Sequence, residues 1–272
     1  MTIIIIWYRV QNTMITNKKK LRLIINSFFG LFLVYFFVIF YFKSIEIIRD
    51  SNLKLPAENF VLVNIDRYIK DYEKYGIPIY QSRLASHDAS GLIFKSIGNY
   101  SYILTAEHFC SVIDKDTEFN IPVSEIENVI YITDIHYKDT RSKILFTDPL
   151  LDLCLMSIPR VDNAIDIDIS KRMPRMGETV YALSSPAGYL SQDSPLHLEG
   201  MYSGCNITEC VFSIPAYPGS SGSIILNKRN KIVGMIQSSL YEFNDISMGV
   251  GRDDIYRFLK LYKENYGIDI ID

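Results

Sequence analysis

Three patterns of apolar and polar residues succeed one another along this chain. The first is a long apolar run, Leu23 to Phe42, interrupted by polar residues only at Asn26 and Ser27 near its start. About 20 helical residues rising ~1.5 Å each cover ~30 Å, the thickness of a bilayer core. The run offers no polar face, so the pattern predicts a transmembrane helix rather than a buried core helix. The second pattern starts near Ile77 and consists of short alternating runs. Ile77–Tyr80, Gly91–Lys95, Tyr100–Thr105, Val129–Asp134, Ser142–Phe146 and Leu151–Ile158 read as strands, separated by turn residues such as Gly98-Asn99 and Asp148-Pro149. After a strand-poor link, Arg160 to Arg175, a further set follows: Thr179–Leu183, His197–Met201, Cys210–Ser213, Ser223–Leu226, Ile232–Gln237 and Ile246–Val250. Two groups of about six short strands predict an all-β domain of two six-stranded antiparallel barrels, one over about 77–158 and one over about 176–251. The third pattern is helical. Ile255, Phe258, Leu259 and Tyr262 share one face of a closing helix over about 253–266. Between the apolar run and the strands, Phe60–Ile65 reads as a first strand or short helix. The charged stretch Asp66–Tyr75 fits a helix.

Charge gives the apolar run a direction. Lys18, Lys19, Lys20 and Arg22 precede it, and such clusters stay cytoplasmic, which places the following domain on the extracytoplasmic side. Bulky residues from Phe36 to Tyr41 stand where a cleavage site would need small ones, so the expectation is an uncleaved signal anchor. The expected organisation is a cytoplasmic tail (1–22), an anchor (23–42), a polar stalk (43–59) and the domain (60–272). Met14, just ahead of the basic cluster, is the expected translation start. The formal net charge of −3 argues against a nucleic-acid surface.

The chemistry sits in three separated segments. Ile103-Leu104-Thr105-Ala106-Glu107-His108 supplies a histidine, Leu151-Asp152-Leu153-Cys154-Leu155-Met156 an aspartate, and Pro218-Gly219-Ser220-Ser221-Gly222-Ser223 a serine in a glycine turn. A serine hydroxyl is a weak nucleophile at neutral pH. It needs a base within hydrogen-bond reach, and the base needs a third group to hold its tautomer. His108 is the expected base, Asp152 the orienting acid and Ser221 the nucleophile, with the Gly219 and Ser221 amides as oxyanion donors. Asp148 is the rival acid; Asp152 is preferred because an apolar strand follows it directly. Ser220 is the rival nucleophile, but only Ser221 is followed by glycine with another glycine two places before it. Glu107 reads as an exposed neighbour. Of the four cysteines, Cys205 and Cys210 suit a bridged hairpin, while Cys110 and Cys154 read as buried thiols in apolar runs. Without a Cys-x-x-Cys pair, a structural zinc site is not expected.

These segments, in this order, resemble the trypsin-like (chymotrypsin-fold) serine peptidases, and most closely the bacterial HtrA/Deg protease domain without a PDZ domain. Ser90-Gly91-Leu92-Ile93-Phe94 is similar to the family's Ser-Gly strand, Leu104 to His108 to its Thr-Ala-x-His, and Asp152 to Met156 to its Asp-Leu-Ala-Leu-Leu. Gly177-Glu178-Thr179-Val180 with Ser185-Pro186-Ala187-Gly188 resembles the opening of the second barrel. Pro218 to Ser223, followed by Lys231 to Ile236, resembles the nucleophile loop and its hairpin. Ser223 departs from the second glycine common there. The resemblance implies a site in the cleft between two barrels. It places Gln237, Ser238 and Ser239 on one wall of a substrate pocket with Gly249 across from them. Ile214 to Tyr217 contain no acid, which argues for a small or apolar side chain in that pocket. The expected function is a membrane-anchored serine endopeptidase acting on a protein or peptide, with no cofactor. The alternative is a catalytically silent barrel that binds a partner.

Overall fold

The computed structural model describes residues 30, 32–39, 53–71, 73–75, 83–111, 125–190, 194–240 and 243–271, with backbone only at 83–86, 128 and 244. The expected start at Met14, most of the stalk and the Ile77–Tyr80 strand lie outside the described residues, as do 23–29, 31 and 40–42 of the anchor. Two compact units divide the chain, Met1–Lys54 and Leu55–Asp272. In the first, residues 32–39 are helical and turn their apolar side chains outward, Phe37 being 76% exposed. Among the described residues, no helix is long and apolar enough to cross a membrane.

Among the described residues, the second unit holds thirteen strands and a closing helix. The strands are β1 Phe60–Ile69, β2 Arg83–Ile97, β3 Tyr100–Ala106, β4 Ile126–Asp134, β5 Asp139–Arg141, β6 Lys143–Asp148 and β7 Leu153–Pro159 in the first lobe. In the second they are β8 Thr179–Ser184, β9 Leu196–Cys205, β10 Cys210–Phe212, β11 Ile224–Asn227, β12 Ile232–Leu240 and β13 Phe243–Gly251. Helix α1 spans Arg252–Tyr266.

The second lobe is a closed barrel in the order β10-β13-β12-β11-β8-β9, as its alternating runs predict. The first lobe corrects the expectation of a six-stranded barrel starting near residue 77. It is a seven-stranded sheet in the order β5-β4-β1-β2-β3-β7-β6, hydrogen-bonded from edge to edge without closing. Two of its strands lie outside the expected six: the short edge strand β5, and β1, which lies centrally between β2 and β4. The charged stretch after Ile65 continues this strand instead of forming a helix: Ile65, Arg67 and Ile69 are buried while Asp66 and Tyr68 are half-buried. That is a period of two, carried through charged residues. Ser142 alone separates β5 from β6, so the two sheet edges meet at one residue without a ladder. Val61, Val63, Ile65, Ile103, Ile132 and Met156 fill this lobe, and Val180, Phe212, Ile225 and Val233 fill the barrel.

Helix α1 buries Ile255, Phe258, Leu259 and Tyr262, as its spacing predicts, and ends at Gly267 in the left-handed region (φ 71°). Its aromatic face reaches the first lobe. Phe146 of β6 stacks on Phe258 at 5.0 Å and meets Tyr262 at 6.0 Å, so the chain end ties the two lobes together.

Candidate active site

Strand β3 ends at Ala106, and a 3-10 turn, Glu107–Phe109, carries His108 out of the sheet. Opposite, the turn before β7 carries Asp152 in the left-handed region at φ 48°. Asp148 Oδ1 accepts the Leu150 and Leu151 amides, so this rival carboxylate shapes the turn and Asp152 alone faces the histidine. Asp152 Oδ2 lies 2.8 Å from His108 Nδ1, and its Oδ1 accepts the His108 backbone amide at 2.8 Å. A carboxylate can only accept here, so Nδ1 carries the hydrogen and Nε2 presents a lone pair. The Glu107 amide donates to the Asp152 carbonyl at 3.2 Å, completing the clasp between the two turns.

A disulfide closes the same clasp. Cys110, two residues beyond His108, is bonded to Cys154, two residues beyond Asp152. This corrects the expectation of two buried thiols. Adjacent strands bring Thr105 opposite Cys154, which sets the sulfurs within reach once the chain folds; the 44 residues between the cysteines conceal that proximity. Cys205 and Cys210 are also bonded, across the β9–β10 pair. Glu107 is a second correction: it is 8% exposed rather than solvated. Burial, then the Asp152 charge, holds its carboxyl above the usual carboxylate range. His108 opposes this and Asp148 adds to it.

Ser221 sits in a loop held on every side. Ser220 is turned inward: its hydroxyl accepts the Tyr217 amide, and it is 1% exposed. The Gly222 amide donates to the Ile236 carbonyl at 2.7 Å. Gly222 has φ 84°, and a Cβ there would stand 2.1 Å from the Ser90 carbonyl oxygen, so only glycine fits. Gly219, at φ 95°, is also crowded: a Cβ there would stand 2.7 Å from the Ser185 carbonyl oxygen and the Ala187 nitrogen. The Pro218 carbonyl accepts the Ala187 amide at 2.6 Å, and a trans peptide then points the Gly219 N–H the opposite way. Among the described residues, neither the Gly219 nor the Ser221 amide donates to a protein acceptor.

Ser90 is the site residue that sequence reasoning left as part of a motif. Fully buried, it donates its amide to the Ser221 carbonyl at 2.9 Å and its hydroxyl to the Gly219 carbonyl at 2.8 Å. The same hydroxyl accepts the Ser185 amide at 3.0 Å, and Thr105 Oγ1 donates to its carbonyl. The available signal is a serine beside a glycine at the head of the apolar run Leu92–Phe94.

The serine and the histidine do not touch. Ser221 Oγ donates to the Gln237 carbonyl at 2.9 Å, and among the described residues no hydrogen bond joins it to His108. Gln237 spans the gap. Its side-chain amide donates to the Leu151 carbonyl at 2.5 Å and reaches the Asp152 carbonyl at 3.4 Å. Gln237 therefore links the serine to the aspartate turn. Beyond it, Ser238 is exposed and Ser239 half-buried, after a register shift between Ile236 and Ser238. Gly249 lies opposite Ile236 within the ladder. A Cβ there would meet the Met235 carbonyl oxygen at 1.9 Å, so its bare backbone is first a packing requirement of β12 and β13.

A family model described as a trypsin-like peptidase domain matches residues 89–235, more than half of the chain. No curated protein matches it. Among solved structures, an inactive mutant form of Rv3671c from M. tuberculosis superposes with a TM-score of 0.54 at 9% identity, over 79% of this chain and 91% of that one. The active form of the Rv3671c protease gives 0.54 at 10% identity, over 75% and 81%. A serine endoprotease from Yersinia pestis gives 0.55 at 18% identity, over 80% of this chain and 66% of that one. At these identities the likeness is one of fold.

Proposed function

Because the chain belongs to the trypsin-like peptidase domain family, we propose that this serine endopeptidase works through His108, Asp152 and Ser221 and is held at a membrane by residues 23–42. The observation that carries the reading is the pairing of His108 Nδ1 with Asp152 at 2.8 Å, which leaves Nε2 as a base. On this reading the Ser221 hydroxyl leaves the Gln237 carbonyl for that base. Ser221 Oγ then attacks the scissile carbonyl as its proton passes to His108 Nε2. The oxyanion accepts hydrogen bonds from the Gly219 and Ser221 amides. Collapse breaks the C–N bond, and His108 returns the proton to the departing amine. Water repeats the sequence on the acyl-enzyme and releases Ser221. General-base help is worth ~10²–10⁴ in rate, and each oxyanion donor ~10²–10³. Gln237, Ser238, Ser239 and Gly249 are proposed to border the side-chain pocket, with preference for small or apolar residues.

One observation favours a silent protein instead. Ser221 is hydrogen-bonded to Gln237 and not to the imidazole. A fluorophosphonate probe separates the two readings. Labelling of the wild type, abolished in Ser221→Ala, is the expected result; a folded protein that takes no label is a binding module.

Anchoring rests on the outward apolar residues of 32–39, whose exposure to water would be costly and to lipid favourable. Two disulfides fit an oxidising, extracytoplasmic side. A reporter fused after residue 272 that is active only in the cytoplasm would overturn this topology.

A further inference from the structure

Away from Ser221 lies a cavity of about 890 Å³, a volume typical of ligand sites. Its walls come from the link between the lobes from Asp168 to Glu178, the β11–β12 turn, the N-terminal part of α1 and Ile271 beyond that helix. Six cations line it, Lys171, Arg172, Lys228, Arg229, Lys231 and Arg252, against two carboxylates, Asp168 and Glu178. On a chain whose formal net charge is −3, this is a strong local concentration of positive charge.

The two carboxylates position part of that charge. Glu178 holds the Arg172 guanidinium at 3.0 and 3.2 Å, and Asp168 holds Lys231 at 2.5 Å. Among the described residues, Lys171 and Arg229 have no ion-pair partner, although both are exposed at the rim. Arg252 Nε is buried without a hydrogen-bond partner. Its guanidinium is ion-paired through Nη1 to Asp253 and stacks over Tyr256 at 5.4 Å, so this arginine contributes an aromatic-backed but partly neutralised wall, and the unpaired charge is that of Lys171 and Arg229.

We propose that this cavity binds an acidic polypeptide segment, an Asp/Glu-rich stretch of the protein substrate outside the scissile region. A single phosphate would leave most of the volume empty, and the two fixed carboxylates oppose so dense a charge. Spread carboxylates on a peptide match cations spaced around a wide cavity with an aromatic floor. The cavity is also tied to the site. Ile169 pairs with Ile232 at the start of β12, and Asp168 and Ser170 bond to the same residue. From Ile232 the strand runs to Gln237, ~17 Å at ~3.3 Å per residue, a distance about five extended substrate residues cover. The identification of the segment as substrate rests on the peptidase reading; the binding itself does not.

The test uses full-length Ser221→Ala protein and a fluorescein-labelled octaglutamate peptide, read by anisotropy. Saturable, salt-sensitive binding is expected, weakened about tenfold or more in Lys171→Glu/Arg229→Glu with thermal unfolding unchanged. Should that variant unfold, Lys171→Gln/Arg229→Gln gives the same comparison with less repulsion. Absence of octaglutamate binding, or binding indifferent to these changes, overturns the proposal. So does charge-reversal-sensitive binding of tripolyphosphate without octaglutamate binding, which would mark a phosphate site. In active protein, a Glu-rich extension placed five or more residues from the scissile bond lowers KM, and the charge reversal removes that gain. Octaglutamate binding in a protein that never takes the fluorophosphonate would refute the peptidase reading alone. Labelling without octaglutamate binding would refute the cavity assignment alone.

Discussion

Ser90 donates its hydroxyl hydrogen to the Gly219 carbonyl at 2.8 Å, from a strand 129 residues earlier in the chain. Together with the Ser90 amide on the Ser221 carbonyl, this bond fixes two peptide planes of the nucleophile loop from behind. The first lobe thus holds the loop in which the second lobe presents its serine.

Replacing Ser90 by alanine removes a donor to Gly219 and leaves the buried Ser185 amide without its acceptor. A cost of ~1–3 kcal/mol in unfolding free energy is expected. Turnover should fall on the order of 10²-fold, because the loop loses its position while its own chemistry stays intact. Denaturant unfolding and kcat measured on one preparation check both; unchanged kcat at reduced stability would show that Ser90 is structural only.

Gly222→Ala places a methyl group 2.1 Å from the Ser90 carbonyl oxygen and 2.4 Å from Thr105 Oγ1. The loop must shift, and fluorophosphonate labelling should be lost. Gly98→Ala is the control. Gly98 has a similar positive φ of 56° but open space around it, so its alanine variant should cost only ~1–2 kcal/mol and keep full labelling.

Cys110→Ser/Cys154→Ser opens the clasp that holds the histidine turn to the aspartate turn. The closed loop spans a sequence separation of 44, for which chain entropy suggests a loss of ~4 kcal/mol. The Cys205–Cys210 bridge, with a separation of 5, should cost less to remove. Chemical denaturation of the two double variants compares them. A larger loss from the short loop would contradict the account.

Glu107→Gln tests the buried carboxyl. Its folded-state pKa is raised, so folding favours the protonated form. That contribution is fully present below the ordinary carboxylate range and is lost as pH rises through the raised value. The amide avoids the buried charge, so the variant should unfold at a higher temperature than wild type at pH 7, with the difference shrinking toward pH 4. A Tm difference that does not vary with pH would rule out this origin.

The strands of the barrel are readable to within a few residues because a short apolar run bounded by polar turn residues is a local property. Ile232, Val233 and Ile236 announce β12 however the rest of the chain folds. β1 was harder. Arg67 is buried within it, and a charge in a strand breaks the pattern that announces one. The open first sheet was not legible either, because closure depends on whether β5 and β6 pair across Ser142. No periodicity within either strand specifies that.

The histidine, aspartate and serine segments could be named from the chain because each carries a local demand: a glycine turn, an apolar strand after an acid, an imidazole at a strand end. Their relation is a tertiary fact. Folding joins Cys110 to Cys154, sets Ser90 behind Gly219, buries Glu107 and directs the Ser221 hydroxyl to Gln237. Side-chain pattern along a strand is governed by which face meets water, and that is written residue by residue. Contacts between distant segments depend on how whole sheets pack, which no single segment encodes.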